Sequence, residues 1–227
     1  MTRLSLLVKR ALDVTVAVTT LLLLSPLLLV TALLIVLEDG RPVFFRQNRA
    51  GKGGDTFSIY KFRSMRVNDA PVATMGAVTG AHPLVTRTGR FIRRTKIDEL
   101  PQLLNVLTGE LSLVGPRPTL LEQIAEYDEF ERRRLAFKPG VTGWAQVSGG
   151  IYLPWEERIA LDVWYVDNWS LGLDLETLVR TVGVILFGEK LNRDALTKAL
   201  AHERDAYGHG AVRLGGWRSE KPDSGQP

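Results

Sequence analysis

The chain has 227 residues, 45% of them hydrophobic and 24% charged, the balance of an ordinary globular protein with a single modest core. It contains no cysteine, which excludes disulfides, thiol catalysis and cysteine-ligated metal. The net charge of +4 hides an asymmetry: residues 41–96 hold 12 Lys/Arg against Asp55 and Asp69, so the partner of that region is expected to be anionic.

Val14 to Leu37 runs without a charge. At helical rise this is roughly 36 Å, enough for a bilayer core of about 30 Å. The run exceeds the usual apolar stretch of a signal peptide and no small-x-small cleavage site precedes Glu38-Asp39-Gly40, so a membrane-attached chain is expected. Ser25-Pro26 lies near its midpoint, where proline removes a helical hydrogen bond and clashes with the carbonyl of Leu22; a break is expected there, with Ser25 able to bond a freed carbonyl. Lys9 and Arg10 precede the run and Arg41, Arg46, Arg49 and Lys52 follow it, so charge marks neither end as external. A re-entrant helix-break-helix with both ends in the cytoplasm satisfies the proline and the charge together, and a kinked single span is the alternative.

Residues 42–49 and 56–63 read as two short strands joined by Gly51-Lys52-Gly53-Gly54-Asp55, a hairpin turn rather than a Walker phosphate loop. Alternation puts Lys61 and Arg63 on one face and Phe62 on the other; paired cations on a strand face suit phosphate, or merely a solvated face. Val67 to His82, low in charge and rich in small residues, reads as a mobile loop.

The most informative stretch is Arg93-Arg94-Thr95-Lys96-Ile97-Asp98-Glu99-Leu100-Pro101-Gln102, which places two adjacent carboxylates after a basic cluster and at the start of a helix that Thr108-Gly109 ends. An ionised Asp-Glu pair facing Arg and Lys suits holding a divalent cation against phosphates, or attack on phosphorus; the plain reading is a capped surface helix with ion pairs. Gly115-Pro116-Arg117-Pro118 holds one arginine between two prolines, stiff enough for a phosphate clamp. Glu122 to Phe137 reads as a surface helix, 138–149 as a turn-rich loop with a short strand, and Pro154–Asn168 and Leu173–Phe187 as amphipathic helices, packed in the core or lying on the membrane interface. Gly208 to Pro227 reads as disordered, and His82, His202 and His209 have no metal-ligand spacing. No recognition helix, zinc spacing or RNA-binding motif supports a nucleic-acid partner.

Several segments taken together resemble the monotopic phosphoglycosyl transferases, the bacterial sugar transferase family: the basic-flanked apolar run with Ser25-Pro26, Phe44-Phe45-Arg46-Gln47-Asn48-Arg49, Lys61-Phe62-Arg63-Ser64-Met65, Arg93 with Asp98-Glu99-Leu100-Pro101-Gln102, Gly115-Pro116-Arg117-Pro118, and residues 139–149. The resemblance covers roughly Lys9 to Phe187, and without an N-terminal transmembrane bundle the chain resembles the minimal form. It implies an α+β chain: a re-entrant membrane helix over 1–40, a small, mainly helical catalytic domain over 41–190 with a β-hairpin and interfacial amphipathic helices, and a C-terminal helix and tail over 191–227. It implies transfer of a sugar 1-phosphate from a UDP-sugar to a polyprenol (undecaprenyl) phosphate, releasing UMP, at the cytoplasmic face of the bacterial inner membrane, as the first step of glycoconjugate assembly. Asp98 is then the nucleophile of a covalent phosphosugar-aspartyl intermediate and Glu99 helps hold Mg²⁺. Lys61, Arg63, Arg93 and Arg117 bind substrate phosphates, and Asp162, within Leu161-Asp162-Val163-Trp164-Tyr165, matches a further acidic position and is carried as a metal ligand. The competing classes are a non-enzymatic scaffold binding anionic lipid through the basic patch, and a polytopic transferase, which needs many spanning helices where this chain has one apolar run. The transferred sugar, the pathway and the oligomeric state, a homodimer included, stay open on sequence.

Overall fold

The computed structural model of the protein describes residues 2–66 and 82–208. The loop expected over Val67–His82 and the tail over Gly208–Pro227 therefore fall, His82 and Gly208 apart, outside the described residues. What is described is α+β and mostly helical, with two small two-stranded sheets.

The apolar run forms one 37-residue helix, α1 (Arg3–Asp39), capped by Thr2 and including Pro26. The break expected at Ser25-Pro26 does not end it. The Leu22 carbonyl, which Pro26 cannot serve, accepts the Ser25 hydroxyl at 2.8 Å, so no backbone acceptor is stranded and the helix continues. Leu22, Leu23, Leu29, Leu33 and Leu37 stand exposed along it, while Lys9, Asp13, Ala17, Thr31 and Ile35 are buried against the rest of the chain. Both ends are fastened to the same body. Near the start, Lys9 pairs with Asp174 at 2.6 Å, Arg10 donates to the Val106 and Leu107 carbonyls, and Asp13 accepts from Ser112 and from the Leu113 amide. At the far end, Arg63 donates to the carbonyls of Asp39 and Gly40.

The expected hairpin is present: β1 (Phe44–Ala50) pairs antiparallel with β2 (Thr56–Phe62), in register from Phe44 opposite Phe62 to Ala50 opposite Thr56. Gly53 and Gly54 turn it at positive φ, where a side chain would strain the backbone. After α2 (Arg87–Arg94) and α3 (Gln102–Thr108), β3 (Ser112–Val114) pairs in parallel with β4 (Gly140–Thr142). Gly115 and Gly140 permit that approach, since a Cβ on Gly140 would stand 2.2 Å from the Gly115 nitrogen.

The single surface helix expected over 122–137 is instead broken into α4 (Leu121–Ala125), α5 (Glu129–Arg132) and a 3-10 turn over Arg133–Ala136. Asp128 starts a new helix by accepting the Glu131 amide at 2.8 Å, and Tyr127 and Phe130 point into the core. After α6 (Trp144–Val147), α7 (Trp155–Asp167) is buried around most of its girth through Ile159, Leu161, Val163 and Tyr165, so it is a central core helix rather than an interfacial one. It touches α9 (Arg193–Tyr207) through buried Ala195 and Ala199. Between them in sequence, α8 (Leu171–Phe187) keeps an exposed apolar stripe of Leu175, Val179, Val182 and Leu186. A second, smaller core joins Ile35 of α1, Phe62 of β2 and Ile92 of α2 beside the carboxylate pair.

Candidate active site

The carboxylate pair owes its position to a reversal between α2 and α3. Thr95 closes α2, Lys96 adopts φ 58°, a left-handed conformation unusual outside glycine, and Ile97–Glu99 form one 3-10 turn before Pro101 opens α3. Asp98 and Glu99 thus lie in the turn ahead of the helix rather than inside it. Strained backbone of this kind clusters at functional sites.

The two carboxylates inhabit different environments. Glu99 Oε1 meets Lys61 Nζ at 2.6 Å and Arg117 Nη2 at 3.4 Å. Burial alone would raise the Glu99 carboxyl, but Arg117 and Lys61 overcome it and hold it at about 2. Asp98 is 9% exposed and accepts no hydrogen bond among the described residues. Burial and then the negative charge of Glu99 push it up to about 6, against the pull of Lys61, Arg93 and Lys96. The pair therefore combines one carboxylate locked in its ionised form with one poorly stabilised as an anion. Unequal environments of this kind are how neighbouring carboxylates acquire different roles.

Beside the turn opens a cavity of roughly 400 Å³. Lys96, Glu99, Arg117, Arg134 and Arg158 supply polar groups to its wall, and Leu100, Val141, Val147, Ile151, Val184 and Ile185 form apolar lining. Glu99, not Asp98, contributes to that wall. Glu189 reaches the rim, 3.9 Å from Lys96 and accepting from the Ile151 amide at 2.9 Å.

Of the residues singled out in the sequence, Asp98, Glu99, Lys61 and Arg117 come together. Arg93 reaches Asp98 through its charge while its Nε donates to Ser64 Oγ at 2.8 Å. Arg63 stands apart, 6% exposed and turned to Asp39 and Gly40 at the end of α1. Asp162 lines the cavity but is 1% exposed and ion-paired with Arg134. Among the described residues no three His, Cys, Asp or Glu side chains gather as a metal cluster. The pair Asp98 and Glu99 would nevertheless suit Mg²⁺, which commonly takes one or two protein carboxylates and completes its shell with water and phosphate oxygens; its charge would oppose the burial, and the repulsion from Glu99, that raise Asp98.

Sequence reasoning missed Arg134, which it placed on a surface helix. Its Nη1 donates to the Tyr127 hydroxyl at 2.8 Å and its Nη2 to the Arg117 carbonyl at 3.1 Å. The usable signal was its position four residues after Phe130, which puts both on one helical face. Glu189 and Arg158 gave no comparable sign.

The family model described as bacterial sugar transferase matches residues 4–188. The chain is 46% identical over 188 residues to the uncharacterized sugar transferase EpsL of Bacillus subtilis, covering 83% of this chain and 92% of the relative. It is 44% identical over 190 residues to the UDP-N-acetylgalactosamine-undecaprenyl-phosphate N-acetylgalactosaminephosphotransferase of Aeromonas hydrophila, covering 80% of this chain and 44% of the relative. It is 42% identical over 186 residues to the UDP-glucose:undecaprenyl-phosphate glucose-1-phosphate transferase of Escherichia coli, covering 78% and 39%. The chain thus spans less than half the length of the last two.

Proposed function

Because this chain belongs to the bacterial sugar transferase family, we propose that it moves a sugar 1-phosphate from a UDP-sugar to a polyprenol phosphate such as undecaprenyl phosphate. The observation that carries the reading is the split between Asp98 and Glu99. A desolvated carboxylate such as Asp98, which accepts no hydrogen bond among the described residues, is a stronger nucleophile than one held by Lys61 and Arg117.

In the first half-reaction a carboxylate oxygen of Asp98 attacks the sugar-bearing phosphorus of the donor, the bond from that phosphorus to the bridging oxygen breaks, and UMP leaves with the bonding pair. In the second, an oxygen of the polyprenol phosphate attacks the same phosphorus, the phosphorus–aspartyl oxygen bond breaks, and Asp98 is restored as polyprenyl-diphosphate-sugar departs. Lys61 and Arg117 bring positive charge to the phosphates, and Arg93 lies within electrostatic reach of Asp98. Asp98 and Glu99 would hold Mg²⁺, which when bound supplies charge neutralisation of the diphosphate. The loop after Gly149 contributes Gly150 and Ile151 to the cavity wall, and is where sugar choice is expected to reside.

The same reading makes α1 a re-entrant membrane helix that returns to the cytoplasmic face of the bacterial inner membrane. Its support is that Lys9, Arg10 and Asp13 at one end and Asp39 and Gly40 at the other bond one and the same globular body. A purely lipid-binding scaffold gives no reason for the carboxylate pair or the cavity. The deciding experiment supplies a panel of UDP-sugars with undecaprenyl phosphate and Mg²⁺ and follows UMP release. Release with at least one donor, dependent on the acceptor phosphate for turnover, is expected, and none with any donor overturns the reading.

A further inference from the structure

The twelve cations of residues 41–96 are only partly used by the site. Within α2, Gly89 and Ile92 face inward, and Arg87, Arg90, Phe91 and Arg94 are all exposed. Their spacing of three, four and seven residues makes one helical stripe, three guanidinium groups around an aromatic ring that is 59% exposed. Among the described residues none of the three arginines forms a salt bridge, and none lines the active-site cavity.

The stripe is also fixed relative to α1. Glu38, in the last turn of α1, accepts the backbone amides of Arg87 at 2.7 Å and Thr88 at 2.8 Å, so the N-terminus of α2 is fastened to the end of the apolar helix. Ile92 packs on Ile35 beneath it. A shallow cleft at this junction is lined by Leu34, Leu37, Glu38, Arg66, Arg87 and Thr88. Exposed leucines of α1 therefore pass directly into exposed arginines of α2, which is the order of chemistry met on leaving hydrocarbon for phosphate headgroups.

We propose that the Arg87-Arg90-Phe91-Arg94 face of α2 docks on anionic phospholipid headgroups, with Phe91 seated among them, and so sets the height of the Asp98 turn above the bilayer. The proposal rests on the membrane reading of α1. It adds a lipid preference that the transfer reaction itself does not require: the attachment of α2 depends on anionic lipid, while that of α1 does not. Asp98 follows α2 after only a short reversal, so the position of α2 fixes where the carboxylate pair stands.

The native chain has no cysteine, so single spin labels can be placed cleanly. The full chain carrying Phe91→Cys or Leu23→Cys, each labelled with a nitroxide, is reconstituted in vesicles of phosphatidylcholine alone or mixed with phosphatidylglycerol, and label depth is read from relative accessibility to oxygen and to a polar nickel complex. The label at residue 23 is expected in hydrocarbon in both vesicles. The label at residue 91 is expected at headgroup depth only in the anionic ones, returning to water at high salt. Replacing Arg87, Arg90 and Arg94 by Gln one at a time is expected to lower the odds of the headgroup position by roughly five-fold per arginine, the equivalent of about 1 kcal/mol each. A label at residue 91 that stays in water while residue 23 is buried overturns the proposal and leaves the membrane reading standing. Equal depth at residue 91 in both vesicle types overturns the lipid preference, and residue 23 in water throughout overturns both. Loss of the headgroup position on adding a single-stranded oligonucleotide would assign the arginines to nucleic acid instead, also overturning it.

Discussion

Arg134 and Asp162 face each other as an ion pair with side chains only 2% exposed, and the pair grips the main chain of Arg117. Arg134 donates to the Arg117 carbonyl at 3.1 Å, and the Arg117 backbone amide stabilises the Asp162 carboxylate. The guanidinium of Arg117 then reaches Glu99 at 3.4 Å. A buried pair is thus placed to aim the Arg117 guanidinium at Glu99.

Removing either partner leaves the other charged and buried, a disruption of roughly 3–5 kcal/mol. Asp162→Asn and Arg134→Gln are each expected to cut turnover roughly 10- to 100-fold, within the reach of coupling between neighbouring residues. In an Arg117→Ala background most of that loss should vanish, and the Mg²⁺ requirement should match the parent. A raised Mg²⁺ requirement in Asp162→Asn would instead make Asp162 a metal ligand.

The Asp98 carboxyl, pushed up to about 6 by burial and by the Glu99 charge, is expected to set the acid limb of the pH profile, at that value or, with Mg²⁺ bound, lower. Attack needs the ionised form, so kcat/KM with limiting donor is expected to climb with unit slope as pH rises to about 6 and then to level off. Asp98→Asn should abolish transfer in a protein that still folds and binds membranes; activity within about tenfold of the parent, under about 1.4 kcal/mol of barrier, would remove Asp98 as nucleophile. Glu99→Gln should be partly rescued by added Mg²⁺.

That same raised carboxyl makes a stability prediction of definite sign. The ordinary value is 3.8 and the folded value about 6, so the fold favours the protonated form: below the lower value no penalty exists, and above the upper one it is complete. Without divalent cation, Asp98→Asn is expected to stabilise the protein by ~3 kcal/mol at pH 7.5, with the gain fading toward pH 4. Urea titrations at the two pH values check this; destabilisation at both would mean that Asp98 is held by favourable contacts.

Much of this was legible in the chain. The hairpin follows from alternation around a glycine-rich turn, and the setting of Asp98 and Glu99 among cations from acid placed next to a basic run. Alternation put Lys61 and Arg63 on one strand face, but only the tertiary fold decides what lies opposite: Glu99 for Lys61, and for Arg63 the end of α1, 24 residues earlier. Asp162 and Arg134, 28 residues apart, carry no mark of partnership, since a charged residue bound for a buried pair is written like one bound for water. Core packing was the default for α7, but the extent of its burial was hidden because Glu156, Glu157 and Arg158 make its first turn polar, whereas its later turns are enclosed. Pro26 forecast a broken helix because the hydroxyl that serves the Leu22 carbonyl is a local remedy whose sufficiency a sequence does not show.

The docking of α1 offers a test of its own. Lys9 Nζ reaches Asp174 at 2.6 Å and the Val114 carbonyl at 3.1 Å, and Asp174 also accepts from Tyr165 and Trp169. Lys9→Leu should destabilise by roughly 3–5 kcal/mol, and pairing it with Asp174→Leu should recover a large part. In intact cells a cysteine at position 2 is expected to be shielded from periplasmic reagents, as is one at position 40. Labelling of position 2 from outside would establish a single span.

The proposed use of one cationic site by both substrates predicts the kinetics. UMP must leave before the lipid phosphate can attack the aspartyl phosphorus, so initial rates at varied donor and acceptor should give parallel double-reciprocal lines. UDP-sugar supplied alone should leave a phosphosugar adduct on the peptide bearing Asp98. Arg117→Ala should slow both half-reactions, because each brings phosphate to the atoms that Arg117 faces beside Glu99. Measured separately, the rate of adduct formation and the rate of its discharge by polyprenol phosphate should both fall. A loss confined to adduct formation would make Arg117 a donor-binding residue only, and intersecting lines without an adduct would replace the covalent route with direct transfer in a ternary complex.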